Sequence, residues 1–223
     1  MKKIIIAIDS FKGCLTSAEA GKAAEKGIKS INPSCHTSVI PIADGGEGLL
    51  DVLITATKGK YITLSAHGPL MKMAKTHYGL SGNGRTAIIE MAAISGLPLV
   101  PIEQRNPMLT TTFGTGELIK DALNKGCRNF IIGIGGSATN DAGLGMLQAL
   151  GFRFLDKSGH TLGTGGQIME AVANIDTSGI HPALRETHFM VACDVANPFY
   201  GPDGAAYILS LIHISEPTRQ EAI

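Results

Sequence analysis

The chain opens on a nearly unbroken apolar, β-branched run from Lys3 to Ile8, the pattern of a strand buried on both faces. Thr16 and Glu19 stand at capping-box spacing, and Ala20, Ala23, Ala24, Ile28 and Ile31 follow at helical intervals. A second strand is predicted from Thr37 to Ile42 and a second helix from Glu47 to Ala56. Strand, helix, strand and helix in that order predict a parallel α/β sheet. From Lys60 to Met91 the texture changes. Short apolar runs (Tyr61 to Leu64, Ala74 to Leu80, Thr86 to Met91) are divided by Gly-Pro and Gly-Asn-Gly turns, which predicts hairpins or a mixed sheet. Regular α/β then returns. A helix is predicted from Glu117 to Lys125 and a strand from Asn129 to Ile134, then a helix from Asp141 to Leu150 and a last strand from Phe189 to Cys193. The change of texture puts a domain boundary near residue 66.

Composition removes several function classes. Lys plus Arg and Asp plus Glu both number 19, so no basic field exists to hold nucleic acid or an anionic membrane. Tryptophan is absent and aromatics are scarce, which speaks against base-stacking platforms. No apolar run is long enough for a membrane span, and the apolar stretch before Asp9 is too short for a signal peptide. The expected setting is therefore cytoplasmic. Cys14, Cys35, Cys127 and Cys193 are too scattered for a zinc site and read as buried thiols. Glycine is in excess, 28 residues, and it is gathered in short loops after apolar runs.

The strongest of these loops is Gly133-Ile-Gly135-Gly136-Ser137-Ala138-Thr139-Asn140-Asp141, where a buried strand empties into a glycine turn before a helix. Glycines let the backbone approach a ligand, and free amides at a helix start suit phosphate. Gly133, Gly135 and Ala138 also fit a relaxed dinucleotide fingerprint, with Asp156 near the place of a ribose-binding acid. A nicotinamide-dependent oxidoreductase is thus one reading.

Two further loops follow the first two strands: Asp9-Ser10-Phe11-Lys12-Gly13 and Asp44-Gly45-Gly46-Glu47-Gly48. The parallel sheet predicts that they share one crevice. A lysine for phosphate charge, carboxylates for Mg²⁺ and one carboxylate to take an alcohol proton are the inventory of phosphoryl transfer. Arg105 is a candidate partner for a substrate carboxylate. Thr112, Gly114 and Thr115 form another hydroxyl- and glycine-rich helix entry, and Asp194 follows the last strand as a candidate base or metal ligand.

The stretches IIIAIDSFKG, IADGGEG, AIIEMAAISGL, RNPMLTTTFGTGELIKDAL, FIIGIGGSATNDAGLGMLQALG and ACDVANPFYGPDGA resemble, in that order, the bacterial type I glycerate kinases. The resemblance covers residues 1 to about 207. It implies Mg²⁺- and ATP-dependent phosphorylation of glycerate, and two α/β domains with the site between them. One would be a flavodoxin/Rossmann-like parallel sheet with residues 1–66 as its N-terminal part, the other a mixed-sheet domain over residues 67–207. The positions it carries over are Asp9, Ser10, Lys12, Asp44, Glu47, Gly135, Gly136, Ser137, Thr139, Asn140, Asp141 and Asp194. On chemical grounds we assign Asp194 as base, with Asp44 the alternative, and Lys12 as the phosphate cation. Asp44 and Glu47 are the expected Mg²⁺ ligands, and Gly45 and Gly46 the nearby backbone. Cys14 and Ala142 depart from the family, where serine and glycine are more usual. Residues 208–223 match nothing in it and read as a non-native tail, so the fold is expected to be incomplete at the C-terminus. An unpaired sheet edge, aggregation and lost activity are the expected consequences. A ligand-binding fragment without turnover is the non-enzymatic reading. The 2- or 3-position of phosphorylation and the oligomeric state are open at this point, with 2-phosphoglycerate favoured.

Overall fold

The opening apolar run forms β1 (Lys3–Ile6), and its parallel neighbour is β2 (His36–Val39), with Lys3 opposite His36 and Ile6 opposite Val39. Between them runs α1 (Ser17–Ile31), which the expected capping box starts. Thr16 Oγ1 accepts from the Glu19 amide at 3.2 Å, and the Glu19 carboxylate accepts from the Thr16 amide at 2.9 Å. The Thr16 amide, with the Thr16 hydroxyl second, holds the Glu19 carboxyl below its ordinary pKa. The computed structural model describes residues 3–11, 14–43, 45–46, 48–193, 195–199 and 201–204.

Helix α2 (Leu49–Thr57) begins two residues later than the sequence predicts. Gly48 sits at φ 92°, a left-handed backbone that cannot lie inside a right-handed helix, so the helix starts after it. The chain then enters a second sheet. Strands β3 (Lys60–His67), β4 (Met73–Leu80) and β5 (Thr86–Glu90) run antiparallel in sequence. Short α3 (Ala92–Ser95) and longer α4 (Phe113–Asn124) lead to β6 (Asn129–Gly133), which pairs in parallel with β5. After α5 (Leu144–Ala149), strands β7 (Arg153–Leu155) and β8 (Asn174–Asp176) form a small antiparallel pair of their own. The last strand, β9 (His188–Ala192), returns to lie parallel beside β6. The large sheet therefore has the order β3-β4-β5-β6-β9. The α/β class holds, with one parallel pair and one mixed sheet. The change of sheet falls between α2 and β3, so all of β3 belongs to the mixed sheet although residue 66 lies near its far end.

Alternation along the strands divides this sheet into two faces. Ala87 and Ile89 of β5, Tyr78 of β4 and Phe130 of β6 join Leu118, Ile119 and Ala122 of α4 in the main core. Ile88 faces the other way, against Leu50 and Ile54 of α2. Helix α4 starts a turn earlier than expected because Gly114 and Gly116 lie within it, packed against the carbonyls of His67 and Met146. Any side chain there would collide with that backbone. Strand β9 forms one edge of the sheet and exposes Phe189, Met190 and Val191. Two cysteines depart from expectation: Cys35 and Cys127 are buried, but Cys14 and Cys193 stand in exposed loops. Among the described residues no helix is long and apolar enough to cross a membrane.

Candidate active site

Strands β5, β6 and β9 end together, and their last rung sets Glu90 beside Gly133 and Gly133 beside Ala192. Gly45, Gly46 and Leu49 are seated across that rung. A Cβ on Gly133 would lie 2.5 Å from the Gly45 carbonyl oxygen and 2.9 Å from Leu49 Cδ2. One on Gly45 would lie 2.9 Å from the Ala192 carbonyl, and one on Gly135 would lie 2.8 Å from Gly46 Cα. Only glycine permits these approaches, so the glycines of two loops and the end of β9 form one close-packed backbone junction. Sequence reasoning had grouped the loops after β1 and β2; the junction adds the loops after β6 and β9.

Ser10 and Gly48 do share a crevice. They line a cleft of about 490 Å³ together with Phe11, Asp51, His77 and Glu90. Asp9, next to Ser10 in the chain, is half-buried and accepts from the Ser10 amide at 2.7 Å. Glu90 is the residue that sequence reasoning missed here. Its carboxylate accepts from the Leu50 amide at 2.8 Å and from the Gly48 amide, capping a helix whose own N-cap glycine has no side chain. Burial pushes the Glu90 carboxyl above the ordinary carboxylate range, and Asp51 adds to that push. The two amides and His77 act against it. A single glutamate closing an apolar strand was the only signal available.

The glycine loop after β6 does not open a helix directly. Gly136, at φ 70°, is exposed, and among the described residues neither its amide nor that of Gly135 donates a hydrogen bond. These two amides are therefore open to a ligand. Ser137 Oγ instead bonds Thr139 Oγ1 at 2.6 Å and accepts from the Thr139 amide, which closes the turn on itself. Asn140 is half-buried, and its carbonyl faces Gly166.

Asp141 has another task than the ligand contact expected of it. It is buried, and its carboxylate accepts from the amides of Thr112 at 2.8 Å, Gly143 at 3.1 Å and Gly145 at 3.1 Å. Thr111 and Thr112 hydroxyls donate to it as well. The amides at the start of α5 are thus taken: Leu144 donates to the Asp141 carbonyl, Gly145 to the carboxylate and Met146 to Thr112 Oγ1. This is why α5 begins at Leu144 and not at Asp141. Ala142, at φ 51°, holds the left-handed turn where the family more often has glycine. Thr112 and Thr115 are buried too, Thr115 against Ser95 Oγ at 2.8 Å, and Gly114 is covered by β3. In this structure they brace the loop and leave no hydroxyl at a surface. Arg105 is half-buried, with Nε donating to the Val100 carbonyl.

The oxidoreductase reading is overturned by the topology. Its unit needs the strand after α5 to pair beside β6, but β7 pairs with β8, and the parallel neighbours of β6 are β5 and β9. Asp156 also folds into its own turn, where amides of His160 and Ser158 hold its carboxyl below the ordinary pKa. Lys12, Asp44, Glu47 and Asp194 lie outside the described residues, as does the stretch 208–223. Among the described residues no three His, Cys, Asp or Glu side chains are grouped to hold a metal ion.

Comparisons with known proteins fit this arrangement. Glycerate kinase from Bacillus subtilis (strain 168) is 53% identical over 206 residues, which span 92% of this chain and 54% of the relative. Glycerate 2-kinase from Escherichia coli (strain K12) is 49% identical over 92% of this chain and 54% of its own length. A crystal structure described as that of a glycerate kinase 2 from Salmonella typhimurium LT2 matches with a TM-score of 0.84 and 45% identity, covering 96% of this chain and 60% of that one. The chain spans about half the length of the curated relatives it matches. Residues 4–210 match the family described as the glycerate kinase family, and the chain belongs to that family.

Proposed function

We propose that this chain carries the phosphate-handling part of an ATP-dependent glycerate kinase whose product is 2-phosphoglycerate. The observation that carries the reading is the junction of Gly45, Gly133, Gly135 and Ala192 at the ends of three strands. It gathers the loops whose neighbouring sequence holds Asp44, Glu47 and Asp194. The free amides of Gly135 and Gly136 supply donors for phosphate oxygens, with Lys12 as the cation and Asp9 and Ser10 at the cleft. Asp194 takes the proton of the attacking glycerate hydroxyl as its oxygen bonds to the terminal phosphorus and the bond to ADP breaks. Asp44 and Glu47 suit Mg²⁺, which would offset phosphate charge. Support for the 2-position comes from the Escherichia coli relative's name. Residues 208–223 are, in this reading, a non-native tail.

The test is ADP release with MgATP and D-glycerate. It is run on the 223-residue chain and on the gene re-amplified from source DNA past the Tyr207 codon. Glycerate-dependent release by the re-amplified chain is expected. Phosphorus NMR then reads the product: one proton on the phosphorylated carbon gives a doublet, two give a triplet. A folded re-amplified chain that binds ATP and glycerate without releasing ADP would replace the kinase reading with a binding module. A triplet would overturn the 2-position.

A further inference from the structure

We infer that Glu90 is a positioning residue that fixes the start of α2, at Gly48 and Leu50, on the end of the large sheet. The inference rests on the proposed kinase function only for its catalytic consequence. Its structural part stands on the geometry of one rung. Glu90 and Gly133 are neighbours across β5 and β6, and strand alternation turns both toward the face that α2 covers. Gly133, lacking a side chain, admits the Gly45 carbonyl and Leu49. Glu90, on the same rung, holds the amides of Gly48 and Leu50. One position takes the segment in by leaving space, and the other fastens it with a charged acceptor.

The fastening matters at the start of α2. Gly48 is its N-cap, at φ 92°, and brings no side-chain cap of its own. Without Glu90 the first amides of α2 face the cleft, and the loop that carries Asp44 and Glu47 loses the anchor on its downstream side. A carboxylate from a core strand does here what an N-cap side chain does elsewhere. The titratable groups facing it are Asp51 on α2, His77 on β4 and Tyr61 on β3. Glu90 touches neither nucleotide nor acceptor in this account; it acts through the loop.

The experiment is site-resolved hydrogen exchange on the parent, Glu90→Ala and Glu90→Gln, with ADP release followed in parallel on the same proteins. In Glu90→Ala the amides of Gly48 and Leu50 should exchange roughly 10-fold or more faster, since each loses a charge-assisted bond. Amides of β6 and α4 should hold their parent rates. Glu90→Gln keeps an acceptor and should recover part of the protection. If Glu90→Ala does not fold, the isosteric Glu90→Gln decides alone, with a rise at Gly48 and Leu50 of a few-fold. Unchanged exchange at those two amides, or a uniform rise across the whole chain, would overturn the inference. Where the parent turns over, kcat should fall with KM for glycerate held, and Gln should restore more of it than Ala. A fall in affinity alone would overturn the positioning role. A 223-residue parent without turnover leaves the kinase reading to the re-amplified chain, and the exchange result decides the role of Glu90 in either case.

Discussion

Asp9 follows β1 and Asp141 follows β6, both in loops of small and hydroxyl residues, yet their carboxylates live in opposite surroundings. Asp9 is half-buried and, among the described residues, accepts from its neighbour Ser10 alone. Asp141 is 1% exposed and accepts from three amides and two hydroxyls. The layers beneath them differ in the same way. Among the described residues the β1–β2 sheet has only two strands; Ile5 of β1 is 61% exposed and Ile31, at the end of α1, 89%. The large sheet is closed by α4 over a core that includes Tyr78, Phe130 and Leu118. Like sequences therefore meet unlike surroundings: the loop on the thick layer is braced from within, and the Asp9 carboxylate on the thin layer has one neighbour's amide among the described residues. The article of chemistry common to both, a carboxylate after a strand, does not by itself say which.

The sharpest way to break this contrast is to remove both carboxylates. Asp141→Ala leaves buried amides and hydroxyls without an acceptor and should cost on the order of 3–5 kcal/mol. Asp9→Ala should stay within about 0.5 kcal/mol, as for a surface substitution. Urea denaturation midpoints of the two variants check this. Equal losses would dissolve the distinction between brace and guest site.

A second test uses one substitution in two helices. In α4, a Cβ on Gly116 would lie 2.7 Å from Ala149 Cβ and also press on the Met146 carbonyl. Gly116→Ala should destabilise by about 1–3 kcal/mol through that overpacking. In α1, a Cβ on Gly27 meets nothing within 4 Å. Gly27→Ala should stabilise by about 0.5–1 kcal/mol through helix propensity. Opposite signs in thermal melts sharpen the comparison; a gain at Gly116 would show that α4 and α5 are looser than drawn.

Much of the thin layer was legible because its signals are local. The capping box at Thr16 and Glu19, the parallel pairing of β1 with β2, and the crevice shared by Ser10 and Gly48 all follow from spacing and chain order. The braced layer was harder to read. Thr111, Thr112 and Thr115 advertise hydroxyls, but which way a hydroxyl faces depends on partners far along the chain, here Asp141 and Ser95. The helix after β6 was placed too early for the same reason, since a carboxylate within the loop takes the amides that would otherwise start it. Glu90 was hidden by its position at the end of an apolar strand. Only the register that sets it beside Gly133 reveals what it holds.

The smallest expected effect lies where α2 meets β3. The Tyr61 hydroxyl donates to the Asp51 carboxylate, and that bond, with burial second, pushes the phenol up to about 12. An unfolded tyrosine ionises near its ordinary value of 10.0. Between those values the folded chain keeps a proton that the unfolded chain has lost, so the contribution is full below the lower value and fades as pH rises toward the upper one. Burial pushes Tyr78, inside the core, upward as well, so it contributes a fall of the same sign. Tyr61→Phe should therefore shrink the loss of stability on going from neutral to strongly alkaline pH without abolishing it. At neutral pH the same variant should cost no more than about 0.5 kcal/mol, because the pair is largely solvent-exposed. Urea midpoints at two pH values, for parent and variant, give the difference directly. If both chains lose the same stability, the bond does not persist in solution, and the start of α2 is then held at the sheet end by Glu90 without help from Asp51.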